Sequence, residues 1–527
     1  MLKEVKPRRP LVRPNPLDRA IGYFFPAAGA RRLRSRMVLA IANAYEGASK
    51  TRRALKEWST FGNDADTDIL TDLPTLRERS RDLLRNNPLA TGAVKTKVTN
   101  VVGAGLRLQS RIDRDVLAFT DEQADTWESK TEREWRLFWE SKDTDVARTL
   151  NGHEITRQVY QQQKENGDVL VLLPRVKRKG SPYDLKLQII EADRLANKDN
   201  AADTETLAGG VQKDTQGAPI NYHILRHHPG NIGFATQEWD TVPAFGAASG
   251  LRNVIHVFNP TRPGQSRGVP DLAPVIEPLK QLGKYTDAEL MAAVISGYFT
   301  VFIENEMGMG GFDYSNMGDE TGAVTSDKDY KLGNGLILEL QKGEKVHDTN
   351  PGRPNSTFDQ FVLSVLRQVG VALELPFEVL VKHFTASYSA ARAALLELWK
   401  YVLSERRWLT DNFLRLVYEV WMYEAVAAGR IAAPGFLSDP ATRAAYLGCD
   451  FIGPAKGQIN EAVEVKAAKE RVDSGLSTLA AETAQLTGGD WEKNHKQQVK
   501  ERSARLNDGL LKEVENAAKP IRDPQSK

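Results

Sequence analysis

Between Ala390 and Ala428 the chain contains neither proline nor glycine. Leu395, Trp399, Val402, Leu409, Phe413, Leu416 and Val420 recur there at steps of three, four or seven residues. That spacing places them on one helical face. At 1.5 Å per residue the run predicts roughly 55–60 Å of helix, whereas average helices are about 11–12 residues long. A helix of this length crosses a whole body or packs along copies of itself. The rest of the fold has to be arranged around it.

The flanking sequence is mixed. Thr75-Leu-Arg-Glu78 reads as a capping box opening a helix that Pro88 breaks. A second helical pattern ends at Gly103. Thr120 with Gln123, and Asn151 with Glu154, are further capping boxes; the first opens a helix carrying Trp127, Trp135, Phe138 and Trp139, and the second a helix stopped by Gly167. Short β-branched runs bounded by Gly, Pro, Asn and Asp then predict a mostly antiparallel sheet over 168–259. Helix returns at 272–300. Residues 305–326 are rich in Gly, Met and Asp and read as an irregular excursion. LILEL at 336–340 reads as a strand. A helix over 357–374 stops before Pro376. Residues 455–513 predict a helical hairpin turning near Thr487-Gly-Gly-Asp490. The expected class is α+β, mainly α.

The 527 residues include 71 Lys and Arg against 69 Asp and Glu, a net charge of +2. That balance argues against a protein gripping nucleic acid over its whole surface. It hides an asymmetry. Residues 1–60 hold 14 basic and 4 acidic side chains, a net of +10, which leaves the remainder at −8. Residues 301–355 alone are net −5, with 10 acidic and 5 basic side chains. A basic arm on a mildly acidic body predicts an acidic partner for the arm. The single cysteine, Cys449, excludes an intramolecular disulfide framework and a multi-cysteine zinc site, and fits a reducing compartment. The longest charge-free apolar stretch, Leu290 to Ile303, is shorter than the ~18–20 residues of a membrane span. Arg8 and Arg9 are followed by Pro10, Pro14 and Pro16 rather than an apolar core, so no secretory signal is expected.

Chemical motifs are sparse. Gly264-Gln-Ser266-Arg-Gly268 matches the G-x-S-x-G elbow of serine hydrolases, which makes a hydrolase using Ser266 the alternative function. Pro260, Pro263 and Pro270 oppose the strand–turn–helix which that elbow needs. Asp64-Ala-Asp66-Thr-Asp68 imitates a calcium loop but has Ile69 where the turn requires Gly and Thr75 where it requires Glu. His227 and His228 are adjacent, so on a strand they point to opposite faces. Gly308-Met-Gly310-Gly311 lacks the Lys and the spacing of a phosphate loop. No cofactor, metal site or catalytic constellation is expected.

Four segments carry a resemblance. They are R79-S-R-D-L-L-R-N-N-P with VTNVVGAGLRLQ, RPGQSRGVPDLAPVIEPLKQLGKYTDAELMAA, LELPFEVLVKHFTASYSAARAALLELWK, and PAKGQINEAVEVKAAKERVDSGLSTLAAETAQLTGGDWEK. In that order, over about residues 75–510, they resemble lambda-type phage portal proteins. The resemblance implies a non-enzymatic ring, usually of about twelve subunits, at one capsid vertex. It implies a conduit for packaging and ejecting double-stranded DNA. The implied partners are the terminase large subunit, major capsid and scaffold proteins, and head–tail connector proteins. The implied location is the virion, with host cytoplasm during assembly. A minor head or adaptor protein shares that context. On the family's elongated wing, stem, clip and crown plan, residues 1–60 are the basic arm, 61–303 resemble the wing and 304–374 the stem and clip. Residues 375–389 resemble a tunnel loop, 390–430 a long core helix, and 431–527 a C-terminal wing or crown hairpin and tail. Within the loop, Lys382 and His383 are then expected to touch phosphates, and Phe384 and Tyr388 to act as steric or packing elements.

Overall fold

The computed structural model describes residues 15–42, 46–49, 52–231, 233, 237–297, 301–305, 344–348, 358–384, 387–458 and 460–510. The described chain is α+β and mainly helical. It comprises two compact units, residues 1–64 and 65–527. The first unit is a pair of helices, α1 (Pro16–Phe24) and α2 (Pro26–Ala42). Asn15 and Asp18 form a capping box at its start, and Asp18 accepts from Arg32 Nε at 3.0 Å and pairs with Arg36.

The second unit opens with α3 (Ala65–Leu70), α4 (Leu73–Asn86) and α5 (Pro88–Val101). Helix α4 begins before the expected Thr75 cap. Pro74 fits the first turn, where its missing N–H is no loss, so the helix starts at Leu73. Asn87 accepts from the N–H groups of Leu89 and Ala90 and so caps α5 at Pro88. Strand β1 (Arg107–Ser110), α6 (Arg114–Leu117), α7 (Asp121–Trp139) and α8 (Gly152–Asn166) follow. The capping boxes at Thr120 and Asn151 are both formed, and Gly167 ends α8 at φ 90°.

The strand region makes two antiparallel sheets rather than one. Strand β2 (Asp168–Leu172) is central between β3 (Gln188–Ile190) and β8 (Val254–Phe258), with Val169 opposite Val257 and Leu170 opposite both Ile190 and His256. A meander of β4 (Leu207–Ala208), β5 (Val211–Lys213), β6 (Pro219–Leu225) and β7 (Trp239–Pro243) forms the other. Of these, only β6 is legible as an apolar run; the rest are short and polar. Helix α9 (Ile276–Gly297) leads to the antiparallel pair β9 (Val301–Asn305) and β10 (Glu344–Asp348). Most of the acidic excursion and the expected strand 336–340 lie outside the described residues.

Helix α10 (Phe358–Ala372) precedes a one-turn helix, α11 (Phe377–Leu380). The long helix then runs unbroken from Tyr388 to Ala427, as α12 (Tyr388–Leu409), one π-helical turn (Thr410–Leu414) and α13 (Arg415–Ala427). Ser387 caps it by accepting from Ala390 N at 3.4 Å. Its burial is graded. No residue from Ser387 to Glu397 is buried, whereas Phe413, Leu414, Val417, Tyr418, Trp421 and Met422 are almost wholly enclosed. There the helix meets α7: Trp135 stacks on Trp139 with ring centroids 4.6 Å apart and meets Trp421 edge-on at 5.1 Å. Helix α14 (Pro440–Tyr446) and β11 (Cys449–Ile452) follow, β11 pairing antiparallel with β1.

The C-terminal region corrects the expected hairpin. It holds three helices, α15 (Glu461–Asp473), α16 (Leu479–Thr487) and α17 (Trp491–Asn507). The Gly488 turn is where it was expected, at φ 65°. A second turn at Gly475 (φ 73°), followed by the Thr478 cap, divides what reads as one arm.

Because Trp421 is the fully enclosed contact between α13 and α7, Trp421→Ala is expected to cost about 3–5 kcal/mol in urea unfolding. Val463→Ala, on the half-exposed face of α15, should stay within about 0.5 kcal/mol of the parent.

Candidate nucleic-acid interface and its buried anchor

Between α10 and α12 the described residues 375–384 are fixed at one end and exposed at the other. Leu373, Leu375, Val379 and Leu380 are buried, and Arg367 of α10 lies over the Phe377 ring at 5.5 Å. Helix α11 closes with His383 N donating to Glu378 O at 3.0 Å, which puts Lys382 in the left-handed region at φ 54°. That position usually holds glycine. Beyond it Lys382 and His383 are exposed and Phe384 is 52% exposed. Residues 385–386 lie outside the described set. Tyr388, read from sequence as part of the loop, is instead the first residue of α12, because the Ser387 cap starts the helix two residues before Ala390. Its ring is 53% exposed. So Lys382, His383 and Phe384 lie together at the exposed end of this segment, and Tyr388 stands at the start of the next helix.

The Ser266 motif does not assemble a hydrolase. Strand β8 ends at Phe258, and no helix follows the serine until after Leu272. Ser266 is buried; its Oγ donates to Asp66 Oδ2 at 2.6 Å and accepts from Lys213 Nζ at 2.6 Å. Asp66 also accepts from Ser266 N at 2.7 Å, and Asp68 pairs with Arg262. The imitation calcium loop is thus the clamp for residues 262–266. A hydroxyl held between a carboxylate and an ammonium, with no imidazole among its described partners, lacks the base that the triad requires.

His228 stands with Nε2 at 3.5 Å from Asp193 and 3.9 Å from Glu191. Its Nδ1 accepts from Gly230 N at 3.0 Å, so in the neutral ring Nε2 carries the proton and faces the carboxylates as a donor. Arg81 already pairs with Asp193. The arrangement is a polar surface cluster.

The group that sequence reasoning missed is Asp168, at the start of β2 and fully buried. Arg77 Nη2 approaches its Oδ1 at 2.7 Å, and Arg267 Nε its Oδ2 at 2.5 Å. His256 Nε2 lies 3.1 Å from Oδ2 and must donate, since a carboxylate only accepts. Gly268 N adds a contact at 3.3 Å. Burial alone would raise the Asp168 pKa, but Arg267 and Arg77 outweigh it and hold the carboxyl well below the usual range. Burial pushes the His256 imidazole down, against the pull of Asp168. Arg267 also reaches the carbonyls of Ala192, Leu195 and Gly209, and Arg77 that of Asn166. Helix α4, both sheets and the 262–270 segment are therefore tied at one carboxylate. Lys97 of α5 pairs with Asp271 at 2.6 Å, and Lys164 of α8 with Glu405 of the long helix at 2.6 Å. Arg81 of the 79–88 segment bonds the Asn166 side chain, the Asn166 carbonyl holds Arg77, and Arg77 meets Arg267 of the 262–293 segment at Asp168.

The family model for phage portal proteins of the lambda family matches residues 51–406. The chain belongs to that family. Among its relatives, portal protein B of Escherichia phage lambda is 25% identical over 488 residues, covering 89% of this chain and 91% of that one. The portal protein of Escherichia phage N15 is 25% identical over 475 residues, covering 86% and 89%. A chain from the virion of a native gene transfer agent (GTA) particle is similar over 79% of this chain and 93% of its own, with 14% identity and a TM-score of 0.41. Of the residues at the buried Asp168, Arg267 lies in a segment that reads as a family signature in the sequence.

Asp168→Asn leaves two buried guanidinium groups without their counter-charge and is expected to cost about 3–5 kcal/mol at pH 7. The folded pKa is depressed, so the stabilisation is complete above the unfolded value of about 4 and is lost as pH falls toward the folded one. Urea titrations should show the gap between parent and variant constant from pH 7 to about 5 and narrowing below about 4.

Proposed function

We propose that the chain assembles into a ring of about twelve subunits at one capsid vertex and passes double-stranded DNA through it. Membership of the lambda portal family across residues 51–406 carries this reading. The graded burial of the 388–427 helix supports it. The inner half is locked into the subunit core, while the outer turns leave Tyr388, Leu396 and Leu403 half-exposed. A ring supplies neighbours that cover side chains of that kind. In it residues 61–303 form the wing, 304–374 the stem and clip, 375–389 the tunnel loop, 390–430 the core helix and 431–527 a C-terminal wing or crown part and tail, with the arm 1–60 facing a partner. The terminase large subunit, capsid and scaffold proteins, and head–tail connectors dock on the assembled ring, and the protein acts without catalysis in the virion.

Charge supports the conduit. Each phosphate neutralised by Lys or Arg adds affinity, and along a channel affinity is friction. Outside the arm the chain is net −8, which disfavours tight capture. At the loop tip Lys382 and His383 offer brief phosphate contacts, and Phe384 and Tyr388 offer bulk.

Native mass spectrometry or negative-stain microscopy of the purified chain is expected to show closed rings; a monomer under assembly conditions and no ring in particles would refute the reading. The left-handed backbone at Lys382 makes Lys382→Gly the clean charge deletion, since glycine keeps the turn and relieves roughly 1 kcal/mol of strain. Combined with His383→Ala it should leave rings intact and lower the yield of packaged DNA. Unchanged genome length and yield would remove these two residues from the DNA path.

A further inference from the structure

Helices α1 and α2 are paired through polar groups and turn their apolar groups outward. Asp18 of α1 is buried against Arg32 and Arg36 of α2. A Cβ on Gly29 would stand 2.5 Å from Gly22 Cα, so the two backbones cross at these glycines. Asp18 and Gly22 are four residues apart and so share the face of α1 that meets α2. Among residues 15–37, 47–49 and 52–64, only Asp18 and Gly29 are buried. An ordinary surface helix buries its apolar stripe and exposes its charges. Here a carboxylate lies inside and no apolar side chain of those residues is buried.

The stripe runs along another side of α1. Leu17, Ile21 and Phe24 stand at i, i+4 and i+7, with Leu17 54% and Phe24 73% exposed. Ala20 beside them is exposed, and Tyr23 and Phe25 extend the apolar surface at the helix end. This is the spacing with which an amphipathic helix anchors in the apolar groove of a partner. Arg19, Arg31 and Arg34 of the same pair are exposed and form no ion pair among the described residues. The occupant has to offer apolar surface together with negative charge. A DNA duplex offers the charge without an apolar groove. A second copy of the chain offers both. Its residues 61–527 are net −8 and leave Leu290, Met291 and Val294 of α9 and Leu396 and Leu403 of α12 exposed. A basic, apolar arm and an acidic body on one chain are complementary between copies, and a head-to-tail contact of that kind can close a ring.

We propose that α1 of one subunit docks through Leu17, Ile21 and Phe24 on the body, residues 65–527, of a second copy, its exposed arginines drawn by that body's net negative charge. The assignment rests on the ring reading and names the partner of the arm within it.

The test uses the full-length chain carrying Ala20→Cys, which sets a thiol beside the stripe; Cys449, the one native cysteine, is buried and stays unlabelled. The variant receives a benzophenone maleimide and is assembled as a minor fraction among heavy-isotope-labelled parent chains. After irradiation the cross-linked peptides are sequenced by mass spectrometry. Light–heavy pairs joining residue 20 to residues 65–527 are the expected result. Pairs confined to one chain, pairs joining two arms, or no pairs at all in assembled rings would overturn the docking and leave the ring reading standing. Monomers in native mass spectra of the untreated parent would overturn both. Leu17→Ser with Phe24→Ser alters only exposed side chains, so the chain still folds, and it should raise the concentration for half-assembly by at least about tenfold. Unchanged assembly of that variant would overturn the proposal. So would flotation of the parent with phosphatidylglycerol vesicles that the variant abolishes, a result that assigns the stripe to a lipid surface.

Discussion

A carboxylate taken wholly out of water must be matched, and at Asp168 two guanidiniums, an imidazole and a backbone N–H do so. Isolated, such a charge would be too costly to bury. Matched, it dictates where its partners stand. Arg77 fixes α4, Arg267 fixes the proline-rich segment after β8, and the spare donors of Arg267 hold carbonyls in the loops between the sheets. A buried ion cluster need not add net stability over an apolar core of the same shape. What it does add is orientation, since a guanidinium fork satisfies several acceptors in only one pose.

Arg406 plays a related part without a carboxylate. Burial lowers its pKa to about 10, and its donors reach the carbonyls of Asn100, Val101 and Pro454. Two of those carbonyls end α5, where the helix dipole is negative. The long helix is thereby bound to the end of α5 and to the segment leading into the C-terminal helices. Gly453 makes the approach possible, since a Cβ there would stand 2.5 Å from Arg406 Nε.

What was legible in the sequence was local. The 388–427 helix follows from an unbroken periodic run, and the caps at Thr120 and Asn151 from residues three apart. Lys382, His383 and Phe384 stand out in the sequence only through family resemblance, and their exposure follows from the αL turn that ends α11. The buried centre was not legible. Asp168 lies 91 residues from Arg77 and 99 from Arg267. No periodicity or spacing links charges brought together only by the fold. The Ser266 motif shows the converse: five residues match a pattern whose chemistry depends on a strand and a helix, and the neighbouring prolines that argue against that elbow in the sequence agree with their absence beside it. The Gly475 turn escaped because the apolar spacing on either side of it continues almost in phase.

The π-helical turn at Thr410–Leu414 has its own consequence. Such a turn takes in one residue more than an α-turn, so side chains beyond it are rotated by about 100° relative to a regular helix. Leu398, Val402 and Leu409 precede it; Val417, Tyr418 and Trp421 follow it. The rotation brings Val417 and Trp421 onto the face of Leu398, Val402 and Leu409, so the two halves of one rod present a continuous apolar stripe. A regular α-helix of the same length would swing Trp421 off Trp135, whereas a chain one residue shorter at this point would form an uninterrupted α-helix and keep that contact.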